Sequence, residues 1–163
     1  MHKTRYDSVE QLELLLEESD DMISTFANAS AFLGALLADI NWVGFYLLHD
    51  GVLYLGPFQG KPACTRIAAG QGVCGAAIAK NSTQLVADVH AFEGHIACDS
   101  ASNSELVVVL RSEGGEPIGV LDIDSPLIGR FTERDRLEME RAAEIISRKI
   151  RKHLNNKRET EET

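Results

Sequence analysis

The stretch W-V-G-F-Y-L-L-H-D-G-V-L-Y-L, residues 42–55, decides the fold class of this chain. Two apolar runs flank Asp50-Gly51, which is a strong signal for a two-residue hairpin turn. The stretch therefore predicts two antiparallel strands joined by a tight turn. Trp42 and Tyr46 are four residues apart and share one face of the first strand, with Gly44 between them. Either they are ordinary core aromatics or the glycine leaves room between the rings for a small apolar group.

Helical patterns lie on both sides of this hairpin. Apolar residues recur at three- and four-residue spacing over residues 22–40 and again over 139–154. Thr132 and Asp135 form a capping-box pattern before the second of these helices. Further strands are predicted at residues 65–68, 84–87, 105–110 and 117–123.

This order of elements predicts a single α+β domain over residues 1–154, in which the terminal helices cover one face of an antiparallel sheet. Residues 155–163 are polar and are expected to form a frayed C-terminal tail.

Composition excludes several functional classes. The net charge of −9 and a sequence pI near 5.0 argue against a nucleic-acid partner, which needs a concentrated basic face. The sequence has neither an apolar run long enough to span a bilayer nor a signal peptide, so we expect a cytoplasmic protein without a membrane partner. The three cysteines lack C-x-x-C spacing, which argues against a disulfide framework or a zinc ribbon.

A polar loop of 17 residues, 88–104, contains Cys98 among titratable side chains. Loops of this length are usually functional or disordered, and the reactivity of a thiol follows the neighbours that set its pKa. The alternative is a zinc site made by His90, His95, Cys98 and Cys74. Their spacing matches no regular zinc motif, so we rank the reactive thiol above the metal.

A glycine-rich turn, G-Q-G-V-C-G at residues 70–75, matches the letters of the dinucleotide fingerprint. A Rossmann unit also needs a full-length helix and parallel strands. Only a two-turn helix follows here, among antiparallel strands, so we reject a dinucleotide. The N–H groups at the start of this helix are suited to a small anion such as a carboxylate.

Acidic side chains occupy a strand, where aspartate is unusual. Asp122 and Asp124 are two residues apart and therefore lie on the same sheet face, with Glu105 at the start of the preceding strand. A solvated outer face is the simpler interpretation for any one of them. In a pocket, clustered acids would bind an ammonium group and retain a proton through their mutual repulsion.

Taken in order, the motifs resemble the free methionine-(R)-sulfoxide reductases, enzymes built on the GAF fold. The resemblance extends from about Ile40 to Phe131 and rests on N-W-V-G-F-Y (41–46), G-P-F-Q-G-K-P-A-C (56–64), G-x-G-V-C-G (70–75), H-I-A-C-D-S-A-S-N-S-E (95–105) and I-G-V-L-D-I-D-S-P (118–126). It implies a sheet of about six antiparallel strands with helices on one side and a small-molecule pocket on the other.

The resemblance also implies the chemistry. Cys98 is expected to be the nucleophile, Cys64 the principal resolving thiol and Cys74 an auxiliary partner. The other implied contacts are Trp42 and Tyr46 for the substrate methyl group, and Glu105, Asp122 and Asp124 for its amino group and sulfoxide oxygen.

The implied reaction is thiol-dependent reduction of free L-methionine-(R)-sulfoxide through a sulfenic acid and an intramolecular disulfide, recycled by a thioredoxin-type reductant. No metal or other cofactor is required, and a homodimer is a possible assembly. The alternative is a non-catalytic GAF sensor that binds a small ligand, because a fold alone does not fix a function.

Overall fold

The computed structural model describes residues 6–95 and 100–161, which form four helices and one six-stranded antiparallel sheet. The strands lie in the order β3-β2-β1-β6-β5-β4. The strands are β1 (Trp42–His49), β2 (Val52–Gly60), β3 (Arg66–Ala68), β4 (Gln84–Val86), β5 (Ser104–Arg111) and β6 (Pro117–Ser125). The helices are α1 (Glu10–Leu16), α2 (Met22–Leu36), α3 (Gly72–Lys80) and α4 (Glu133–Glu161), with a short 3-10 turn at Val89–Ala91.

The predicted hairpin is confirmed. Strands β1 and β2 pair from His49↔Val52 outward, so Asp50 and Gly51 are the two turn residues. Both have positive φ, +48° and +77°, which is the backbone twist that a two-residue turn needs to match its flanking strands. A β-bulge between Gly44 and Tyr46 shifts the register further along the hairpin.

The sheet separates two apolar layers. On one face, alternate residues of the central strands, such as Phe45 and Leu121, are buried beneath α1, α2 and α4. On the opposite face, Tyr46, Val107 and Val120 pack against α3. Each fully buried side chain of this size contributes about 1.5–3 kcal/mol of transfer free energy. The predicted α+β architecture, with the terminal helices on one face, is therefore confirmed.

Helix α4 differs from its prediction at one end only. Its start matches the predicted capping box: the Asp135 amide donates to Thr132 Oγ1 at 3.2 Å, and the Thr132 amide donates to Asp135 Oδ2 at 2.7 Å. At the other end the helix continues beyond Leu154 to Glu161, so the prediction of a frayed tail from residue 155 is wrong over the described residues. The extension contains no glycine or proline that would stop a helix.

The helices that the structure describes include none with the length and apolar character that a bilayer crossing requires.

Candidate active site

Sheet register brings aromatic and acidic side chains into neighbouring rows on the α3 face. Trp42 of β1 pairs with Asp124 of β6, and Asp124 pairs with Glu105 of β5. In the next row on this face, Asp122 is the partner of Gly44. The prediction that Asp122 and Asp124 share a face is correct. The interpretation as solvated side chains is wrong for Glu105 and Asp122, which are only 7% and 6% exposed.

The glycine-rich turn adds the start of α3 to this face. Gly70 and Gly72 have positive φ, and the Gly70 amide donates to Gly75 O at 2.9 Å, which closes the turn tightly. A Cβ on Gly75 would lie 2.6 Å from Ala68 O. The turn therefore brings the first residues of α3, including Cys74, against the row of acids.

These elements enclose a cavity at the centre of the α3 face. Its walls come from β1, β5, β6, the first turn of α3 and the segments on either side. The lining residues are Trp42, Tyr46, Pro62, Ala63, Ile67, Gln71, Gly72, Val73, Cys74, His95, Ser102, Glu105, Asp122 and Asp124. Six of the eight site residues predicted from the sequence line it. Of the others, Cys64 packs beside it as a partly buried residue, and Cys98 lies outside the described residues.

Trp42 stacks against two other rings. Its ring centroid lies 5.2 Å from that of Phe58 and 6.0 Å from that of Tyr46, with interplanar angles of 16° and 26°. The idea that Gly44 leaves open room between the rings is wrong, because a Cβ there would overlap Phe58 Cβ and lie 2.8 Å from Trp42 Cη2. Gly44 instead lets the Trp42 ring lie flat against the sheet.

The two pocket aromatics hold the segment that carries Cys64. Trp42 Nε1 donates to Lys61 O at 3.1 Å, and Tyr46 Oη donates to Cys64 O at 2.8 Å. Burial and then the charge of Asp122 raise the pKa of the Tyr46 phenol, which keeps it protonated as a donor. These two hydrogen bonds fix residues 61–64 along the cavity wall.

Cys74, Glu105 and Asp122, hereafter the acid cluster, form the floor of the cavity. The Cys74 thiol donates to Glu105 Oε1 at 3.9 Å, and ligand atoms of all three side chains lie within 4.8 Å of one another. Asp122 Oδ1 is buried and has no hydrogen-bond partner among the described residues. A buried carboxylate oxygen in this position needs a donor or a cation from the cavity.

Burial and mutual repulsion favour the protonated forms of the acid cluster. Burial, followed by the charges of Asp122 and Asp124, raises the pKa of Glu105 well above its usual value. Burial also raises the pKa of Asp122, although hydrogen bonds from Glu105 and Cys74 oppose the shift. The pKa of the Cys74 thiol is raised well above normal by burial and then by the neighbouring acids, so Cys74 remains a thiol.

The cysteines and histidines differ in their surroundings. Cys74 is a buried free thiol, whereas Cys64 is half-buried and disulfide-bonded. His90 is exposed and hydrogen-bonded to Asn103 Oδ1 at 2.9 Å, and His95 lines the cavity with a pKa lowered by burial and then by His90. Within residues 6–95 and 100–161, the candidate metal-ligand group around Cys74 contains neither histidine. The zinc alternative therefore lacks support from its described members.

Sequence reasoning missed several residues that shape the site. Pro62, Ala63, Gln71 and Ser102 line the cavity, and Phe58 backs Trp42. All five lie inside the motifs quoted above, so the sequence indicated that they are near the site. Phe58 reaches Gly44 only because of the β-bulge, for which the residue pattern has no clear signal.

Comparisons with known proteins identify the family. A family model for the GAF domain matches residues 21–150. A free methionine-R-sulfoxide reductase of Escherichia coli (strain K12) is 53% identical over 137 residues, covering 83% of this chain and 82% of the relative. The X-ray structure of free methionine-R-sulfoxide reductase from Neisseria meningitidis in complex with its substrate superimposes with a TM-score of 0.86 at 42% identity, covering 91% of this chain and 89% of that one. The chain therefore belongs to the GAF domain family and, within it, to the free methionine-R-sulfoxide reductases.

Proposed function

We propose that this protein reduces free L-methionine-(R)-sulfoxide to L-methionine with cysteine thiols. One observation carries the proposal: a single cavity combines stacked aromatic rings, buried acids and a helix start. These are the three kinds of group that a small zwitterion with an apolar methyl end requires. The E. coli relative at 53% identity is named for this reaction, as a free methionine-R-sulfoxide reductase.

Each part of the substrate has a counterpart in the cavity. In the proposed pose, the methyl group contacts Trp42 and Tyr46, and the ammonium group lies near Asp122 and Asp124. The carboxylate points to the first turn of α3, where backbone amides and the helix dipole favour an anion. The orphan Asp122 Oδ1 supports this pose, because the ammonium group would supply its missing donor.

The first chemical step transfers the sulfoxide oxygen to cysteine. The Cys98 thiolate attacks the sulfoxide sulfur while Glu105, which retains its proton, protonates the oxygen. Overall, one thiol and one sulfoxide become one sulfenic acid and one thioether, so the substrate gains two electrons. Since only the unprotonated thiol attacks, the raised pKa of Cys74 argues against that residue as the nucleophile.

The second step closes a disulfide. The Cys98 sulfenic acid condenses with the Cys64 thiol and releases water, and a thioredoxin-type dithiol then reduces the disulfide by exchange. The disulfide-bonded state of Cys64 supports this assignment, as does the Tyr46 hydrogen bond that holds its carbonyl beside the cavity. The role of Cys74 is that of an auxiliary partner, whose thiol can exchange with the disulfide once Cys74 is deprotonated.

We also propose a cytoplasmic location and a homodimer as the assembly. A thiol cycle of this kind needs a compartment that keeps a dithiol reductant reduced. Sedimentation equilibrium of the purified chain, in reduced and disulfide forms, measures the assembly directly.

The decisive experiment is an NADPH-coupled thioredoxin assay with separate epimers of free methionine sulfoxide. We expect turnover of the R epimer, none of the S epimer and none of the R sulfoxide within a peptide. Cys98→Ser should abolish reduction, and Cys64→Ser should allow at most a single or slow turnover. Full activity of Cys98→Ser would overturn the assignment.

A sensor is distinguished by thiol counting. The reductase loses two titratable thiols after one equivalent of the R sulfoxide is added without reductant. A binding module of the GAF fold would keep all three reduced.

A further inference from the structure

The acid cluster has the composition of a metal site. It combines one sulfur and two carboxylates, and every pair of ligand atoms lies within 4.8 Å. Cys74 comes from α3, Glu105 from β5 and Asp122 from β6, so three packed elements hold the ligands in place. All three side chains are buried, with exposures of 3%, 7% and 6%. Little side-chain freedom would therefore be lost when an ion binds.

The spacing fits a zinc ion. Zinc binds thiolate sulfur at about 2.3 Å and carboxylate oxygen at about 2.0–2.2 Å, in tetrahedral geometry. Ligand atoms around such an ion are therefore about 3.5 Å apart, and Cys74 Sγ lies 3.9 Å from Glu105 Oε1. A tetrahedral ion held by three residues keeps one position open, and all three ligand residues line the cavity.

A second observation points to a cation at this place. Asp122 lines the cavity, and its Oδ1 is buried and lacks a hydrogen-bond partner among the described residues. A metal ion would satisfy this oxygen. Tyr46, Asp124 and His95 also face the cluster from the cavity wall, so a bound ion would have further polar neighbours.

We propose that one Zn²⁺ ion binds the acid cluster through Cys74 Sγ and the carboxylates of Glu105 and Asp122, releases to solvent the Cys74 thiol proton and the protons that the two carboxyl groups hold, and thereby excludes the substrate ammonium group. Zinc is then an inhibitor of the site and not a cofactor of the reaction. The zinc alternative based on His90, His95 and Cys98 shares only Cys74 with this site. The metal site stands on geometry alone, and only its inhibitory effect rests on the proposed function.

The binding test uses the disulfide form of the full chain, because Cys64 is then bonded and Cys74 is a free thiol. Zn²⁺ is titrated against a chromophoric chelator, and Cd²⁺ is used to detect the near-ultraviolet absorption of a metal–thiolate bond. We expect one ion per chain. Cys74→Ser should abolish the Cd²⁺–thiolate band and weaken Zn²⁺ binding by more than about 100-fold, beyond the 10–100-fold range of an outer partner.

Carboxylate variants provide a matched pair. Glu105→Gln removes a proposed ligand and should weaken Zn²⁺ by more than about 100-fold, whereas Asp124→Asn removes a neighbouring charge and should weaken it by at most about tenfold. Tryptophan emission and urea midpoints check that each variant is folded. Equal Zn²⁺ affinity in the wild type, Cys74→Ser and Glu105→Gln would overturn the site.

Inhibition is then measured separately with the reduced enzyme. We expect the apparent KM for the sulfoxide to rise in proportion to free Zn²⁺ at constant kcat, and chelator to reverse the effect. Stoichiometric Zn²⁺ binding by a chain that reduces no sulfoxide would keep the metal site and refute the proposed function. Binding at the cluster with noncompetitive inhibition would refute the exclusion of substrate.

Discussion

Replacement of Gly44 by alanine should disturb the cavity from beneath the Trp42 ring. The added Cβ would overlap Phe58 Cβ and lie 2.8 Å from Trp42 Cη2 and 2.9 Å from Phe58 Cα. Because Phe58 Cα belongs to the paired backbone of β2, the strand itself must move. The change therefore acts on Trp42 and on the β1–β2 register together.

A magnitude can be given for the effect on folding free energy and for the effect on kcat/KM. Overpacking of this kind costs about 1–3 kcal/mol of folding free energy. If the Trp42 ring no longer covers the substrate methyl group, the transition state loses the burial of about one methyl group, about 0.8 kcal/mol. That loss corresponds to a roughly fourfold lower kcat/KM for the R sulfoxide.

Gly34→Ala is the matched control. Gly34 lies within α2, where an added Cβ would meet Val43 Cγ1 at an ordinary 3.5 Å. Alanine is favoured over glycine inside a helix by about 0.5–1 kcal/mol, so this variant should gain stability and keep its kcat/KM. Urea unfolding followed by tryptophan emission measures both variants, since Trp42 is the only tryptophan in the chain. An unchanged urea midpoint and an unchanged kcat/KM in Gly44→Ala would refute the reasoning.

Three further predictions test the site and its scaffold. Folding raises the pKa of Glu105, so its protonation adds stability that is complete below the unfolded-state pKa and is lost as the pH rises through the folded-state pKa. Glu105→Gln should therefore become more stabilising relative to wild type from about pH 5 to about pH 8, as measured by urea unfolding. A pH-independent difference between the two proteins would contradict this. Tyr46→Phe removes the hydrogen bond to Cys64 O, so it should lower the free energy of unfolding by about 0.5–1.5 kcal/mol and slow disulfide closure, measured by quenched-flow alkylation. Tyr54→Phe, at the exposed face of β2, is the control and should change neither the stability nor the closure rate. Equal closure rates in both variants would exclude the positioning role of Tyr46. Thr132→Ala removes the cap of α4 and should lower the free energy of unfolding by about 1 kcal/mol without changing KM. A large rise in KM would contradict this and show that α4 acts on the cavity.

Local patterns were sufficient to predict most of the fold. The Asp50-Gly51 turn, the alternation around Asp122 and the Thr132 capping box each depend on residues close in sequence, and the structure contains all three. The end of α4 was predicted too early because residues 155–161 are all polar, and a polar helix resembles a tail in sequence. Charge and polarity alone do not distinguish the two.

The cavity was harder to predict than the sheet, because its shape depends on register. Without the bulge, counting outward from the His49↔Val52 pair would place Pro57 opposite Gly44; with it, Phe58 takes that position. This one-residue shift brings Phe58 onto the α3 face, where it stacks on Trp42. The burial of Asp122 likewise depends on α3 and the glycine turn, which are distant in sequence.

The hydrogen bonds of Trp42 and Tyr46 limit how this pocket can be re-engineered for bulkier sulfoxides. Trimming either ring would enlarge the cavity, but it would also release Lys61 or Cys64 and so loosen the segment next to the disulfide. Phe58 stacks on Trp42, with 5.2 Å between the ring centroids, and is not among the described residues that line the cavity. The substrate range is therefore best widened by replacing Phe58 with a smaller residue. The Trp42 ring then has space to move away from the substrate while its indole N–H keeps its hydrogen bond to Lys61 O.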